Sequence, residues 1–243
     1  MRRLLKLILD LIFPKICASC GQPNPESNIL CQQCLTGIPI NSGWFCPLCQ
    51  RRLPTPQNSC HPTAGFILAA ATPYVAKAVQ EIVQALKYRQ LENAVSDLTF
   101  VLKEYLEKIS KELADWLPSE VILLPVPLHS RKERKRGFNQ SWLLAQAAEK
   151  ILSGRFPEKI FRLEKNAIKR TKNILSQTEC RDYRQREENV KNIFLAADPK
   201  GIKNKTIIIV DDVFTSGATM REAVKTLKAA GAKKIMALVI AKA

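Results

Sequence analysis

The stretch Thr206-Ile-Ile-Ile-Val210, followed directly by Asp211-Asp212-Val213-Phe214-Thr215-Ser216-Gly217-Ala218-Thr219, decides the architecture. A short β-branched apolar run reads as a strand buried on both faces, the kind found in parallel sheets covered by helices. The two acids stand at the end of that strand, and the loop from Thr215 leads into a helix expected over residues 218–230. Backbone N–H groups, hydroxyls and a helix N-terminus then converge on one phosphate, and Gly217 lets the backbone approach the anion without a Cβ in the way. Asp211 and Asp212 suit sugar hydroxyls or a hydrated Mg²⁺. The competing reading is an acidic pair that only caps the turn.

Working outward, the pattern alternates. Strands are expected at residues 66–71, 120–125, 158–163, 206–210 and 234–241, and helices at 78–88, 92–114, 139–153 and 218–230. Such alternation implies an α/β fold with a mostly parallel sheet flanked by helices, and ligands in that architecture bind beyond the carboxyl ends of the strands. Leu4, Leu5, Leu7, Ile8, Leu11 and Ile12 fall on one helical stripe ended by Pro14. Lys6 and Asp10 interrupt that apolar stretch, which is far short of the roughly 20 residues of a membrane span. With no small-residue cleavage site before Cys17, the chain is expected in the cytoplasm.

Seven of the eight cysteines lie between positions 17 and 60. Cys17/Cys20, Cys31/Cys34 and Cys46/Cys49 are C-x-x-C pairs, and with Cys60 their first members recur every 14 or 15 residues, an internal repeat. In a reducing compartment such pairs read as zinc ligands before disulfides. Cys17, Cys20, Cys31 and Cys34 form a structural Cys₄ site. Cys46, Cys49 and Cys60, with His61, are a second candidate set, against which stands Thr63 at the place of the eighth knuckle ligand and the adjacency of Cys60 and His61. Residues 14–62 carry few large apolar side chains, so metal is expected to substitute for a core there. The chain divides into a module over residues 1–63 and a domain over 64–243.

At 46% hydrophobic and 25% charged, 243 residues describe a globular chain and exclude disordered, collagenous and multi-span membrane classes. The net charge of +16 predicts phosphate-rich partners: nucleic acid, phosphorylated metabolites or anionic surfaces. Part of that charge is local. Residues 124–140, after the strand at 120–125, hold Val126, His129 and a run in which Arg131, Lys132, Arg134, Lys135 and Arg136 fill five of six positions. An arginine-rich loop at a strand end offers bidentate donors to a diphosphate, and the plain alternative is a solvated surface loop.

The segment from Val210 to Thr219 resembles the phosphoribosyl pyrophosphate (PRPP) signature of type I phosphoribosyltransferases. The resemblance implies that Asp211 and Asp212 hold the ribose hydroxyls, with Mg²⁺ accompanying the ligand, while Thr215, Ser216, Gly217, Ala218 and Thr219 grip the 5′-phosphate. The segment with Val126, His129, Arg131, Arg134 and Arg136 then takes the pyrophosphate. Thr215 stands where 6-oxopurine-specific relatives carry an acid, which disfavours that acceptor. Zinc knuckles, the Pro-Val-Pro to Arg-Gly-Phe-Asn-Gln segment, Lys87-Tyr88, Arg170-Thr171 and the late Asp-Asp motif together resemble the ComF family of competence-associated proteins over essentially the whole chain. That resemblance implies a role in DNA uptake and single-stranded DNA handling alongside other uptake proteins, with residues 167–192 as a basic hood over the ligand. Three classes stand open: a DNA-handling PRPP-binding protein, a metabolic phosphoribosyltransferase with its own acceptor, and a scaffold that senses PRPP without turnover.

Overall fold

A computed structural model of the chain describes residues 15–24, 28–57, 60–88, 91–171 and 192–243. The amphipathic stripe at residues 4–12 and most of the hood at 167–192 lie outside the described residues. The amino-terminal part contributes helix α1 (Gln32–Thr36), the two-residue strands β1 (Trp44–Phe45) and β2 (Arg52–Leu53), and a 3-10 turn at Pro62–Ala64. There follow β3 (Ile67–Pro73), α2 (Lys77–Tyr88), α3 (Leu91–Lys108), α4 (Ser110–Trp116), β4 (Glu120–Pro125), α5 (Ser130–Arg136), α6 (Gln140–Arg155), β5 (Ile160–Leu163), β6 (Ile168–Arg170), β7 (Phe194–Ala196), α7 (Pro199–Ile202), β8 (Thr206–Phe214), α8 (Ala218–Ala229) and β9 (Lys234–Lys242).

Among the described residues seven strands form one sheet in the order β2-β1-β3-β9-β8-β4-β5, parallel from β3 to β5. Its two faces are packed by different helices. Leu98, Leu102 and Tyr105 of α3 and Leu144 and Leu152 of α6 meet Ile208 and Val210 on one face. Ala223, Val224 and Leu227 of α8 meet Ile207 and Ile209 on the other, with Ile168 and Phe194 of the separate β6–β7 pair. Thr206 through Val210 are buried without alternation, as their β-branched run implies for a covered parallel strand.

Three expectations need correction. The single helix expected over 92–114 is two, α3 and α4, because Ile109 leaves helical geometry at φ −100° and ψ 7° while burying its side chain. The strand expected to stop at Val210 runs on to Phe214, so the two acids lie within β8. Its neighbour β4 stops at Pro125, opposite Val210, where Pro125 and Pro127 deny it further amide donors. The Val126 N–H gives one last bond to the Val210 carbonyl at 2.8 Å. Beyond it β8 is paired only on its β9 side, from Asp211 opposite Val239 to Phe214 opposite Lys242, and among the described residues no strand continues along its β4 side.

The third correction concerns the cysteine-rich part, which does have a core. Ile29, Leu30, Leu35, Ile38 and Trp44 are buried in the same cluster as α3 and α6. β1 pairs antiparallel with β3 through Phe45 and Leu68, and the Tyr105 hydroxyl donates to the Gly43 carbonyl at 2.8 Å. Local apolar content understates that core because the buried side chains are completed by helices more than fifty residues away.

Candidate functional site

The cysteine clusters are built around two copies of one turn. The Cys17 amide donates to the Gln22 carbonyl at 2.8 Å and Gly21 donates back to Cys17 at 2.9 Å. Cys46 and Arg51, with Gln50 back to Cys46, repeat the pattern at 2.9 and 2.8 Å. The residue four after the first cysteine takes a positive φ in both copies, +75° at Gly21 and +58° at Gln50. Cys31 is the N-cap of α1 and Cys34 lies within it, while Cys60 and His61 directly precede the 3-10 turn.

The ligand atoms of Cys17, Cys20, Cys31 and Cys34 lie within 4.8 Å of one another, and so do those of Cys46, Cys49, Cys60 and His61. Zn–S bonds of about 2.3 Å in a tetrahedron place sulfurs roughly 3.8 Å apart. The Cys20 and Cys31 sulfurs are separated by 3.8 Å, and His61 Nδ1 stands 3.3 Å from both Cys46 and Cys60. Hydrogen bonding to Cys46 and Cys49 pushes the Cys60 thiol up to about 12, and burial with three neighbouring thiols does the same for Cys34. Crowded thiolates of that kind are what a dication stabilises. Both clusters support structural zinc. The adjacency of Cys60 and His61 does not keep them apart from the cluster: His61 Nδ1 lies with the sulfurs of Cys46, Cys49 and Cys60.

The loop after β8 is shaped by Gly217, the N-cap of α8, at φ +73°. Gly217 and Ala218 are buried, Thr215, Ser216 and Thr219 half-buried. Arg221 Nη1 donates to the Ser216 carbonyl at 2.8 Å, fixing the loop from the first turn of α8. Amides of that turn and the three hydroxyls are thus gathered at the carboxyl end of the sheet.

Beside this loop the acids are held in place. Asp211 Oδ1 accepts from the Ser141 hydroxyl at 2.8 Å and from the Asp212 amide at 2.9 Å. Burial, and next the charge of Asp212, raise the Asp211 carboxyl to about 7, against the opposing effect of Ser141 and Lys87. Asp212 Oδ1 accepts from the Val213 amide at 2.8 Å, and its buried Oδ2 meets Lys87 Nζ at 2.8 Å. That approach is a charge contact off the angles of a hydrogen bond, leaving Oδ2 without a formal donor. For Lys87, burial acts downward, but the carboxylates of Asp212 and Asp211 outweigh it and raise its pKa.

A second cation approaches from β6. Arg170 is largely buried, its guanidinium 5.9 Å from the Phe194 ring and its Nε without a hydrogen-bond partner. Burial lowers its pKa and the attraction of Asp211 opposes this. Lys87 and Ser141 thus contact the acidic pair from two different elements, and the charge of Arg170 acts on Asp211 from a third. Ser141 carried no signal in the sequence, where it is one more small residue at a helix start.

The basic segment is helical, which corrects its reading as a loop. His129 caps α5 by accepting the Arg131 amide at 3.2 Å on Nδ1, and Gly137 at φ +85° ends it. Val126 is buried, and its carbonyl accepts from Asn139 Nδ2 at 3.1 Å. Arg131 and Arg134 are exposed, whereas Arg136 turns back to Gln140 Oε1 at 2.5 Å. Burial, then the charges of Arg170, Arg131 and Arg134, depress the His129 pKa.

Residues 8–64 match the double zinc ribbon domain and residues 172–243 the phosphoribosyl transferase domain. DNA utilization protein YhgH of Escherichia coli O6:H1 is 28% identical over 221 residues, covering 90% of this chain and 87% of that protein. Competence protein F of Haemophilus influenzae is 34% identical over 128 residues, 52% of each chain. Among solved structures, hypoxanthine-guanine phosphoribosyltransferase from Schistosoma mansoni in complex with IMP aligns at 18% identity over 57% of this chain and 54% of that one, with a TM-score of 0.33. The chain is therefore a phosphoribosyltransferase-like protein with an amino-terminal double zinc ribbon, homologous to DNA utilization protein YhgH and to competence protein F.

Proposed function

We propose that this protein binds PRPP at the open end of β8 and acts in DNA uptake, handling single-stranded DNA in the cytoplasm. The observation that carries the PRPP reading is the juxtaposition of Asp211 and Asp212, fixed by Ser141 and Lys87, with the glycine loop that starts α8. In this reading the carboxylates accept the ribose hydroxyls, and the amides and hydroxyls of residues 215–219 hold the 5′-phosphate. The exposed Arg131 and Arg134 of α5 reach the diphosphate, and the Arg170 charge, felt by Asp211, adds to the positive potential there. The hard oxygen donors of Asp211 and Asp212 suit Mg²⁺ arriving with the ligand, where it supplies charge neutralisation of the diphosphate.

The DNA role rests on the homology to competence protein F and DNA utilization proteins, together with the +16 charge and the basic face of α5. Calorimetric titration with PRPP and Mg²⁺ tests the ligand. The parent protein is expected to bind, and Asp211→Asn/Asp212→Asn to lose about tenfold or more in affinity at unchanged fold, because an amide accepts sugar hydroxyls poorly beside a cation. Equal affinity in the double variant removes the site assignment.

A further inference from the structure

We propose that Lys87 is an exchangeable counter-ion: it neutralises Asp212 before ligand arrives and transfers to the ligand's diphosphate when sugar and cation take Asp212 over. This rests on the PRPP reading and adds a residue and an order of events to it.

The placement of Lys87 follows from α2. Val79, Ile82, Val83 and Leu86 are buried against the core, so the next residue after Leu86 is carried to the carboxyl end of the sheet. There its ammonium reaches Asp212, whose side chain is 7% exposed while that of Lys87 keeps 25%. A carboxylate so enclosed is costly unless paired. Its Oδ1 is satisfied by the Val213 amide, and among the described residues Oδ2 has only the Lys87 charge, at 2.8 Å but poorly aligned.

Such a contact is built to be released. A well-aligned bridge would hold both partners in hydrogen bonds, whereas a point charge on a flexible four-carbon stem retargets by rotating about its own bonds. The partial exposure of Lys87 gives the ammonium a path outward, while Asp212 stays fixed by the backbone. Two consequences follow. Free divalent cation is excluded from the acidic pair, since Lys87 already occupies its charge. Cation and phosphorylated sugar enter together, because the incoming diphosphate provides the new partner that Lys87 needs before it can leave Asp212.

The test uses the full-length, zinc-loaded protein and two measurements. Free Mn²⁺, followed by its electron paramagnetic resonance signal, is titrated without PRPP; PRPP with Mg²⁺ is titrated separately by calorimetry. Lys87→Met is expected to gain one Mn²⁺ site that the parent lacks, and Asp212→Asn in that background to lose it again. The same Lys87→Met is expected to bind PRPP about tenfold to a hundredfold more weakly, the effect of removing one charge-assisted hydrogen bond. Lys87→Arg restores PRPP affinity in part and excludes Mn²⁺ again, and Lys87→Gln serves if the methionine variant does not fold. Mn²⁺ binding to the parent as tight as to Lys87→Met overturns the exchange, as does unchanged PRPP affinity in the variant. A parent that binds no PRPP refutes the ligand reading instead, and the Mn²⁺ comparison still judges the counter-ion.

Discussion

The Phe214 ring fills the space that a Cβ on Gly217 would need, and Arg221 Nη1 lies 2.9 Å from the same point. Gly217 therefore answers to two constraints, its left-handed φ of +73° and the absence of room.

Gly217→Ala is expected to destabilise the protein by about 1–2 kcal/mol from the backbone alone, with further loss from the displaced Phe214, and to weaken PRPP binding. Gly154 of α6 makes the contrast: a Cβ there meets nothing within 4 Å, and its position is helical. Gly154→Ala is expected to stabilise by roughly 1 kcal/mol with binding unchanged. Urea unfolding and calorimetry on the two variants check both.

Two zinc ions per chain are expected from elemental analysis of reduced, folded protein, falling to one in His61→Ala, which removes the Nδ1 ligand atom of the second cluster. Cys31→Ser is expected to lower the melting temperature of the whole chain in a single transition. Leu30, Leu35 and Trp44 share a core with α3 and α6, so the ribbon is expected to melt together with them.

Asp97 gives a pH dependence of known sign. It is buried, accepts the Leu30 amide at 3.0 Å, and burial raises its pKa from 3.8 to about 6. The folded state therefore holds its proton more tightly than the unfolded chain, so this contribution to stability is complete below about pH 4 and is lost as pH rises through about 6. Asp97→Asn keeps a carbonyl acceptor for Leu30 and cannot titrate. Relative to that variant, the parent is expected to lose up to about 3 kcal/mol of stability between about pH 4 and 7. Denaturant titrations at three pH values measure it.

Single-stranded DNA binding, if it uses the outer face of α5, is expected to weaken with salt at a logarithmic slope of about −0.7 per phosphate neutralised. Neutralising the exposed Arg131, Arg134 and Lys135 together flattens that slope by about two units without altering base preference. Displacement of a labelled strand by PRPP in fluorescence anisotropy indicates a shared surface. Absence of strand binding at low salt leaves a metabolic phosphoribosyltransferase as the reading to pursue.

Local spacing carried much of this protein. The β-branched run before Asp211 specified a covered parallel strand, and the C-x-x-C repeat specified the knuckles, because each rests on contacts within a few residues or on strict periodicity. Helix α5 was illegible for the same reason in reverse. None of its residues is buried, so no apolar stripe marks it, and only the His129 cap and Gly137 delimit it.

Local pattern is enough to give the fold class, the first cysteine cluster and an acidic pair beside a glycine loop. What surrounds that pair is set by tertiary packing. Ser141 meets Asp211 across 70 residues, and Lys87 and Arg170 come from a helix and a strand on separate parts of the chain. Their arrival depends on how α2, α6 and β6 pack, with buried apolar side chains setting each element's height along the sheet. The same holds for the ribbon's core and for the placement of His61 beside Cys46 and Cys60. A single polar residue leaves no periodic trace, so its partner is fixed by where packing delivers it rather than by its neighbours in sequence.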